Sequence, residues 1–392
     1  MNGIGRGGPL GPVAVSQAGR ATERQYWIAI SLVPGIGPVT FWQLIGRFGS
    51  ATGAWRAGPA ALDQLRRVST DAARGWERLS RSDPGTLADA ITRATAAVGG
   101  RVVTALDEEY PPALRIRDPR PPTLYVVGDG AAFAVRAVAV VGTRRASGYG
   151  LSAATDVATD LAEAGVAVVS GLALGIDGAA HRAAVEAAGR TIAVLPTPID
   201  RIYPPRHRGL AARIVRAGGA LVSELPTGAT VGRPDFARRN RLIAGLTEAV
   251  VVVEAPDRSG ALLTAAAAIQ LRLEVYAVPG PISAMASRGC NRLIADKLAT
   301  LVTSSADLLR QIGLSRGTEP PVTRALSEVE GQLLHRLLER PGSLEELVDR
   351  TRQHPASVAS ALNMLEARGL VSSFGGATFH PSLAARRLAK VV

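Results

Sequence analysis

Between residues 137 and 302 short apolar runs alternate with longer stretches of helical length. The apolar runs are residues 137–141, 166–169, 192–195, 220–222, 249–253 and 275–278. None shows the polar alternation of a half-exposed strand. The stretches at 151–164, 177–188, 210–217, 239–246 and 261–271 read as helices. Continuously apolar strands alternating with helices predict a parallel sheet buried on both faces. The links are asymmetric. Helix-to-strand links are a few residues long. Strand-to-helix links are long: GTRRASGYG, SGLALGID, PTPIDRIYPPRH, SELPTGATVGRPDFARRN, EAPDRSGA and PGPISAMASRGCN. In a parallel sheet all of these lie at the carboxyl edge, where open α/β folds take their ligands. Core packing does not require that asymmetry, so it points to function at that edge.

The flanks read differently. Residues 1–20 are Gly/Pro-rich and are expected to be a disordered tail. Residues 21–98 read as a helical unit, in which the turn PGIGP at 34–38 separates two helical patterns. A Gly-x-Gly turn between helices either brings backbone N–H groups to a phosphate, as in a helix-hairpin-helix, or only permits close packing. Residues 99–312 form the α/β unit. It opens with RVVTALD and TLYVVG around YPPALRIRDPRPPT, whose prolines restrict it to extended or turn structure. These runs are expected to add edge strands. Residues 313–325 read as a linker. Residues 326–385 then give three helical patterns and a hairpin. Val329, Leu333, Leu334 and Leu337 share a face, Ser343 and Glu346 have capping-box spacing, and Val358, Leu362 and Leu365 share another face. The hairpin turns at Gly375–Gly376. That is a winged-helix pattern. Its third helix carries only Arg368 as positive charge, which argues against reading a duplex.

Composition narrows the function classes. The chain has 392 residues, 47% of them hydrophobic, and a formal net charge of +12. Nearly all the positive charge is arginine, which suits bidentate phosphate contacts. The single cysteine, Cys290, excludes an intramolecular disulfide and a multi-cysteine metal site, and it fits a reducing compartment. No secretory signal or membrane-length apolar run is evident, so a cytoplasmic location is expected.

The candidate chemistry lies in the long links. Gly142-Thr143-Arg144 follows the first strand, where backbone and side-chain donors would meet an anion. Neither a dinucleotide fingerprint nor a P-loop is present. Ser170 and Gly171 end the second strand. Asp177 is expected as a helix N-cap. Its i, i+4 pairing with His181 is expected to be structural rather than metal-binding. The segment 233–241 carries Arg233, Arg238, Arg239 and Arg241 against Asp235, with Asn240 beside them. Phe236 reads as a loop aromatic among arginines, placed to stack on a base or else to tuck into the core. Glu224 and Glu254 are the expected partners for at least one of these arginines. No catalytic motif is recognisable.

Taken together the segments YPPALR, VAVVGTRRASGYG, SGLALGIDGAAH, IDRIYP, SELP, FARRNRLIAGL, VVVEAPDRSGALLTAA and VYAVPG resemble the DprA (Smf) family of DNA-processing proteins of natural transformation. The resemblance implies an extended Rossmann-like fold. It implies a homodimer that binds single-stranded DNA and loads the RecA recombinase, without catalysis or cofactor. It puts phosphate binding on Gly142, Thr143, Arg144, Ser170, Gly171, Arg233, Arg239, Asn240 and Arg241, with Phe236 contacting a base. The chain departs from the family pattern at Thr197-Pro198, Arg272-Leu273-Glu274 and Gly289-Cys290-Asn291. The alternative is a nucleotide-hydrolysing enzyme of the lysine-decarboxylase-like phosphoribohydrolase type. Those enzymes carry a P-G-G-x-G-T-x-x-E run, which EAPDRSGALLTAA lacks.

Overall fold

The apolar runs form the strands they predict. The structure, a computed structural model, describes residues 21–65, 68, 70–314, 326–367, 370–374, 378–382 and 385. The expected tail at 1–20, nearly all of the expected linker, Arg368 and Gly375–Gly376 lie outside the described residues. The described chain falls into two compact units, divided after residue 316.

The first unit begins with helices α1 (Glu23–Ser31), α2 (Pro38–Phe48), α3 (Ala51–Ala57), α4 (Thr70–Leu79) and α5 (Pro84–Ala96). Then come β1 (Gly100–Thr104), the one-turn helix α6 (Pro112–Arg115) and β2 (Thr123–Gly128). The body follows as β3 (Ala137–Val141), α7 (Gly148–Glu163), β4 (Ala167–Ser170), α8 (Ile176–Glu186), β5 (Thr191–Val194), α9 (Arg208–Arg216) and β6 (Ala220–Ser223). It continues through α10 (Arg233–Gly245), β7 (Ala249–Val252), α11 (Gly260–Gln270), β8 (Glu274–Ala277), α12 (Arg288–Ala295), β9 (Thr300–Leu301) and α13 (Ser305–Gln311). One nine-stranded sheet results, in the order β1-β2-β6-β5-β4-β3-β7-β8-β9. Strands β3 to β9 pair in parallel; β1 and β2 extend one side antiparallel, with β1 as the edge strand and β2 paired on both sides to β1 and β6.

Both faces are covered. Val138 and Val140 pack with α7, α8 and α13, while Ala139 and Val141 pack on the opposite face with α10 and α11. That double burial explains why the strands show no polar alternation. The chain walks outward from β3 through β4, β5 and β6, then returns to the other side of β3 for β7. The loops after β3 and β7 therefore part in opposite directions, leaving a crevice at the carboxyl edge.

Two local expectations are corrected. Helix α10 starts at Arg233, not 239. Pro234 fits a first helical turn, and Asp235 accepts the Gly232 N–H at 2.8 Å, which caps the start. Phe236 is consequently on a helix and not in a loop. Within the proline-rich stretch, Pro112–Arg115 makes a helical turn, because a proline at the first position loses no hydrogen bond there.

The helical N-terminal part packs Trp27 against Phe41, with ring centroids 4.7 Å apart, around a core that includes Leu44 and Trp76. It is tied to the sheet through the proline-rich stretch. Prolines donate nothing, so the carbonyls there need side-chain donors. Four successive carbonyls receive them. Arg241 Nη2 donates to Pro119 O at 2.7 Å, Trp42 Nε1 to Arg120 O at 2.7 Å, Tyr110 Oη to Pro121 O at 2.6 Å and Trp27 Nε1 to Pro122 O at 2.8 Å. Arg24 adds a fork to Asp107, at 2.9 Å from Nε.

The second unit has α14 (Glu328–Glu339), β10 (Gly342–Ser343), α15 (Leu344–Thr351), α16 (Pro355–Ala367), β11 (Val371–Phe374) and β12 (Thr378–Pro381). Three helices enclose Leu333, Leu337, Leu347, Leu362 and Leu365 against a sheet ordered β10-β12-β11. Ser343 and Glu346 form the expected capping box. Among the described residues no helix is long and apolar enough to cross a membrane.

Replacing Trp27 by Phe keeps an aromatic ring and removes one of the two donors to Pro122 O, which retains the Ala105 N–H at 3.0 Å. The expected cost is that of one hydrogen bond, about 0.5–1.5 kcal/mol, seen as a lower midpoint in urea unfolding followed by far-ultraviolet circular dichroism.

Candidate functional site

A cavity of about 460 Å³ occupies the crevice that the strand order creates. Its walls come from three places. The turn after β3 supplies Gly142, Thr143, Arg144 and Arg145. Helix α10 supplies Arg233, Phe236, Arg239 and Asn240. The loop from β7 into α11 supplies Arg258, Ser259 and Gly260. Segments distant in sequence meet because each follows, or precedes, a strand at the same edge.

The first turn is built to hold its shape. The Thr143 N–H donates to Glu254 O at 2.6 Å, and its carbonyl accepts the Ile176 N–H at 3.2 Å. A Cβ on Gly142 would lie 2.8 Å from Ile176 Cβ and 2.9 Å from Glu254 O, so only glycine fits. The Thr143 hydroxyl accepts the Arg145 N–H at 3.2 Å and keeps its own proton to donate. Glu254 does not pair with an arginine as expected. Its carboxylate accepts the Ser147 N–H at 2.8 Å and the Ser147 hydroxyl at 2.6 Å, fixing the start of α7.

Beneath the turn lie two buried charges, Asp177 and Arg239, which influence each other without a direct hydrogen bond. Asp177 is not an N-cap; Gly175 takes that position. Asp177 accepts the Gly171 N–H at 3.1 Å and the Ala173 N–H at 3.4 Å. Burial pushes its carboxyl up from the usual range, and Arg239 and these N–H groups oppose the rise. Arg239, only 8% exposed, donates from Nη1 to Gly171 O and, at 3.2 Å, to Val194 O. Burial lowers its pKa and Asp177 raises it. A side chain on Gly171 would overlap that guanidinium. His181 does not bond Asp177. Its Nδ1 lies 2.7 Å from the Thr191 hydroxyl, and burial pushes the imidazole down to about 3.

The sequence-derived residues therefore separate by role. Gly142, Thr143, Arg144, Arg233, Phe236, Arg239 and Asn240 come together around one groove. Gly171 lines a separate, smaller cavity that shares Arg144, Phe236 and Arg239 with the groove. Asn240 donates from Nδ2 to Gly260 O at 3.1 Å, joining α10 to α11. Ser170 is fully buried, and its hydroxyl stitches β4 to β3 through Val140 O at 2.6 Å, away from any ligand. Arg241 projects from the opposite face of α10 to Pro119 O. Arg238 lies 3.5 Å from Asp235.

What remains for a ligand is an arginine rim. Arg144, Arg145, Arg233 and Arg258 are exposed and form no ion pair among the described residues. Aromatic surface lies between them. Arg144 Cζ sits 5.8 Å from the Phe236 ring, and Tyr203 meets Phe236 edge-on at 5.9 Å while remaining 42% exposed. Arg258 and Tyr203 are the residues that the sequence reading missed. Their signal was position, since both lie in strand-to-helix links of the same edge.

The fold and groove define a Rossmann-like protein with a cationic, aromatic-lined crevice. Comparison with known proteins agrees. The family model described as DNA recombination-mediator protein A matches residues 101–313, and those for the DprA winged helix domain and the DprA-like N-terminal HHH domain match 317–377 and 22–73. The chain belongs to the DprA (Smf) family. It is 32% identical to protein Smf of Synechocystis, over 91% of this chain and 98% of that one. It is 37% identical to protein Smf of Escherichia coli, over 70% and 76%. Among solved structures it is similar to DprA of Streptococcus pneumoniae, with TM-score 0.63 and 31% identity over 74% of this chain and 98% of that one. It is also similar to DprA of Helicobacter pylori, a structure described for its single-stranded DNA binding mode, with TM-score 0.50 and 28% identity over 54% and 95%.

The two kinds of arginine are separable by stability. Arg239→Ala leaves Asp177 buried without its counter-charge and two carbonyls without their donor, at an expected cost of about 2–4 kcal/mol. Arg144→Ala is expected to leave the thermal midpoint within a degree or so of wild type, as surface changes do. Differential scanning calorimetry of the two variants reads the contrast directly.

Proposed function

We propose that this protein is a non-enzymatic mediator that binds single-stranded DNA in the crevice and delivers it to the RecA recombinase, acting as a cytoplasmic homodimer. The observation that carries the reading is the rim of unpaired arginines around the Phe236–Tyr203 pair. Repeating phosphates meet several guanidinium groups at once, while an aromatic face accepts any base. A single soluble nucleotide would leave most of that charge unused. The relative from Helicobacter pylori, with its single-stranded DNA binding mode, supports the assignment, as does the recombination-mediator description of the family.

The groove also speaks against hydrolysis. Asp177 is the one carboxylate among the described groove-lining residues; it is buried, and its Oδ2 accepts two backbone N–H groups. A phosphoribohydrolase needs a free glutamate there. Base release from nucleoside monophosphates, measured by chromatography, is expected to be nil; turnover would overturn the non-enzymatic reading. Delivery is tested by RecA filament growth on protein-coated single strands, which should quicken when this protein is added.

Binding has its own signature. Each of Arg144→Ala, Arg233→Ala and Arg258→Ala is expected to weaken oligo-dT binding and to reduce the slope of log K against log salt by about 0.7. Phe236→Ala should cost about 1–3 kcal/mol with an unchanged slope. Fluorescence anisotropy at several salt concentrations separates the two patterns. Wild-type slopes in all three arginine variants would sink the groove assignment.

A further inference from the structure

Helix α10 carries a second basic face. Residues 236, 240 and 243 point to the groove, whereas 238, 241 and 245 fall on the opposite side at helical spacing. On that side lies a cavity of about 300 Å³, bounded by α10, by Pro38 at the start of α2 and by the proline-rich stretch. Arg117, Arg120, Arg238 and Arg241 line it, with Glu224 as their one acidic neighbour there.

Neutral groups mostly hold these arginines in place. Arg241 donates to Pro119 O, and Arg117 Nη2 donates to Thr247 O at 3.3 Å. Arg120 lies over the Trp42 ring, 3.9 Å from its centroid, which leaves the edge of the guanidinium free. Of the four, only Arg238 forms an ion pair among the described residues, with Asp235 at 3.5 Å. Arg117 Nε is buried and has no acceptor in the described structure. A buried donor left unmade is costly, and an anion oxygen would satisfy it. Burial pushes the Glu224 carboxyl up to about 7, with Arg238 and Arg241 opposing the rise, so at neutral pH it offsets the charge of the four arginines only in part. The cavity is at the small end of ligand sites, with room for one nucleotide rather than a run of them.

We propose that this cavity is a second anion site that takes a phosphomonoester, carried either on the end of a DNA strand or on a free nucleotide. A phosphomonoester is close to a dianion at neutral pH and offers three acceptor oxygens, which matches several convergent guanidinium groups better than a diester does. The site lies apart from the groove and does not depend on the groove reading.

The test uses the full chain. Thymidine monophosphate, thymidine and inorganic phosphate are titrated calorimetrically, and oligo-dT with phosphorylated or hydroxyl ends is compared by anisotropy. The monophosphate is expected to bind and thymidine not. Arg117→Gln and Arg238→Gln should each weaken that binding by about tenfold, the value of one hydrogen bond to a charged group. Arg144→Ala and Phe236→Ala should leave it intact. Tighter binding of phosphate-ended oligo-dT, with the monophosphate competing, identifies the strand end as the ligand; equal binding of both oligomers identifies the free nucleotide. Absence of any monophosphate, phosphate or end-phosphate binding to the wild-type chain overturns the proposal. So does monophosphate binding that the groove variants abolish and Arg117→Gln and Arg238→Gln spare. Failure of the groove reading would appear separately, as loss of binding to hydroxyl-ended oligo-dT.

Discussion

The buried guanidinium of Arg239 holds the functional edge together. It reaches from α10 to Gly171 O and Val194 O, the ends of β4 and β5, with Asp177 supplying the counter-charge nearby. Its Nη1 meets both carbonyls while Nε is buried without an acceptor, and because those carbonyls lie at two strand ends, the contact fixes the position of α10 against the sheet. Everything that faces a ligand follows from that position. Phe236 lies about one turn and Arg233 nearly two turns earlier on the same helix, and Asn240 ties its flank to α11 through Gly260 O. Gly171 is a glycine because the guanidinium occupies the space of its side chain.

Arginine thus does two different jobs in this chain. Arg239 and Arg241 are spent on backbone carbonyls and organise structure. Arg144, Arg145, Arg233 and Arg258 remain in solvent without carboxylate partners, so their field is available to a polyanion. The net charge of +12 says nothing about this division. It is decided by which side chains end near orphaned carbonyls.

The proline-rich stretch shows the same economy from the other side. Its prolines remove N–H groups, yet its carbonyls still need partners. Trp27, Trp42, Tyr110 and Arg241 supply them one after another. This joins the N-terminal helices to the sheet and brings Arg117 and Arg120 close to the back of α10. The second cavity exists because of that junction.

The sequence by itself determined the elements of this protein and the edge that carries the candidate groove. Uniformly apolar strands meant two buried faces, and the long links after them pointed to the carboxyl ends as the candidate ligand edge. Gly142, Thr143, Arg144 and Arg233 were legible there because glycine, hydroxyl and arginine in a strand-to-helix link have few structural uses. The start of α10 was hidden, since a run of arginines reads as loop until Asp235 is seen to cap Gly232. Only the tertiary structure decided the strand order, and with it the crevice between the loops after β3 and β7. It alone separated Arg239, Arg241 and Ser170, committed to backbone carbonyls, from the arginines left facing water, and it alone brought in Tyr203 and Arg258. The reason is physical. Periodicity reports which face of an element is buried, whereas the partner of a buried charge is set by contacts between residues far apart along the chain.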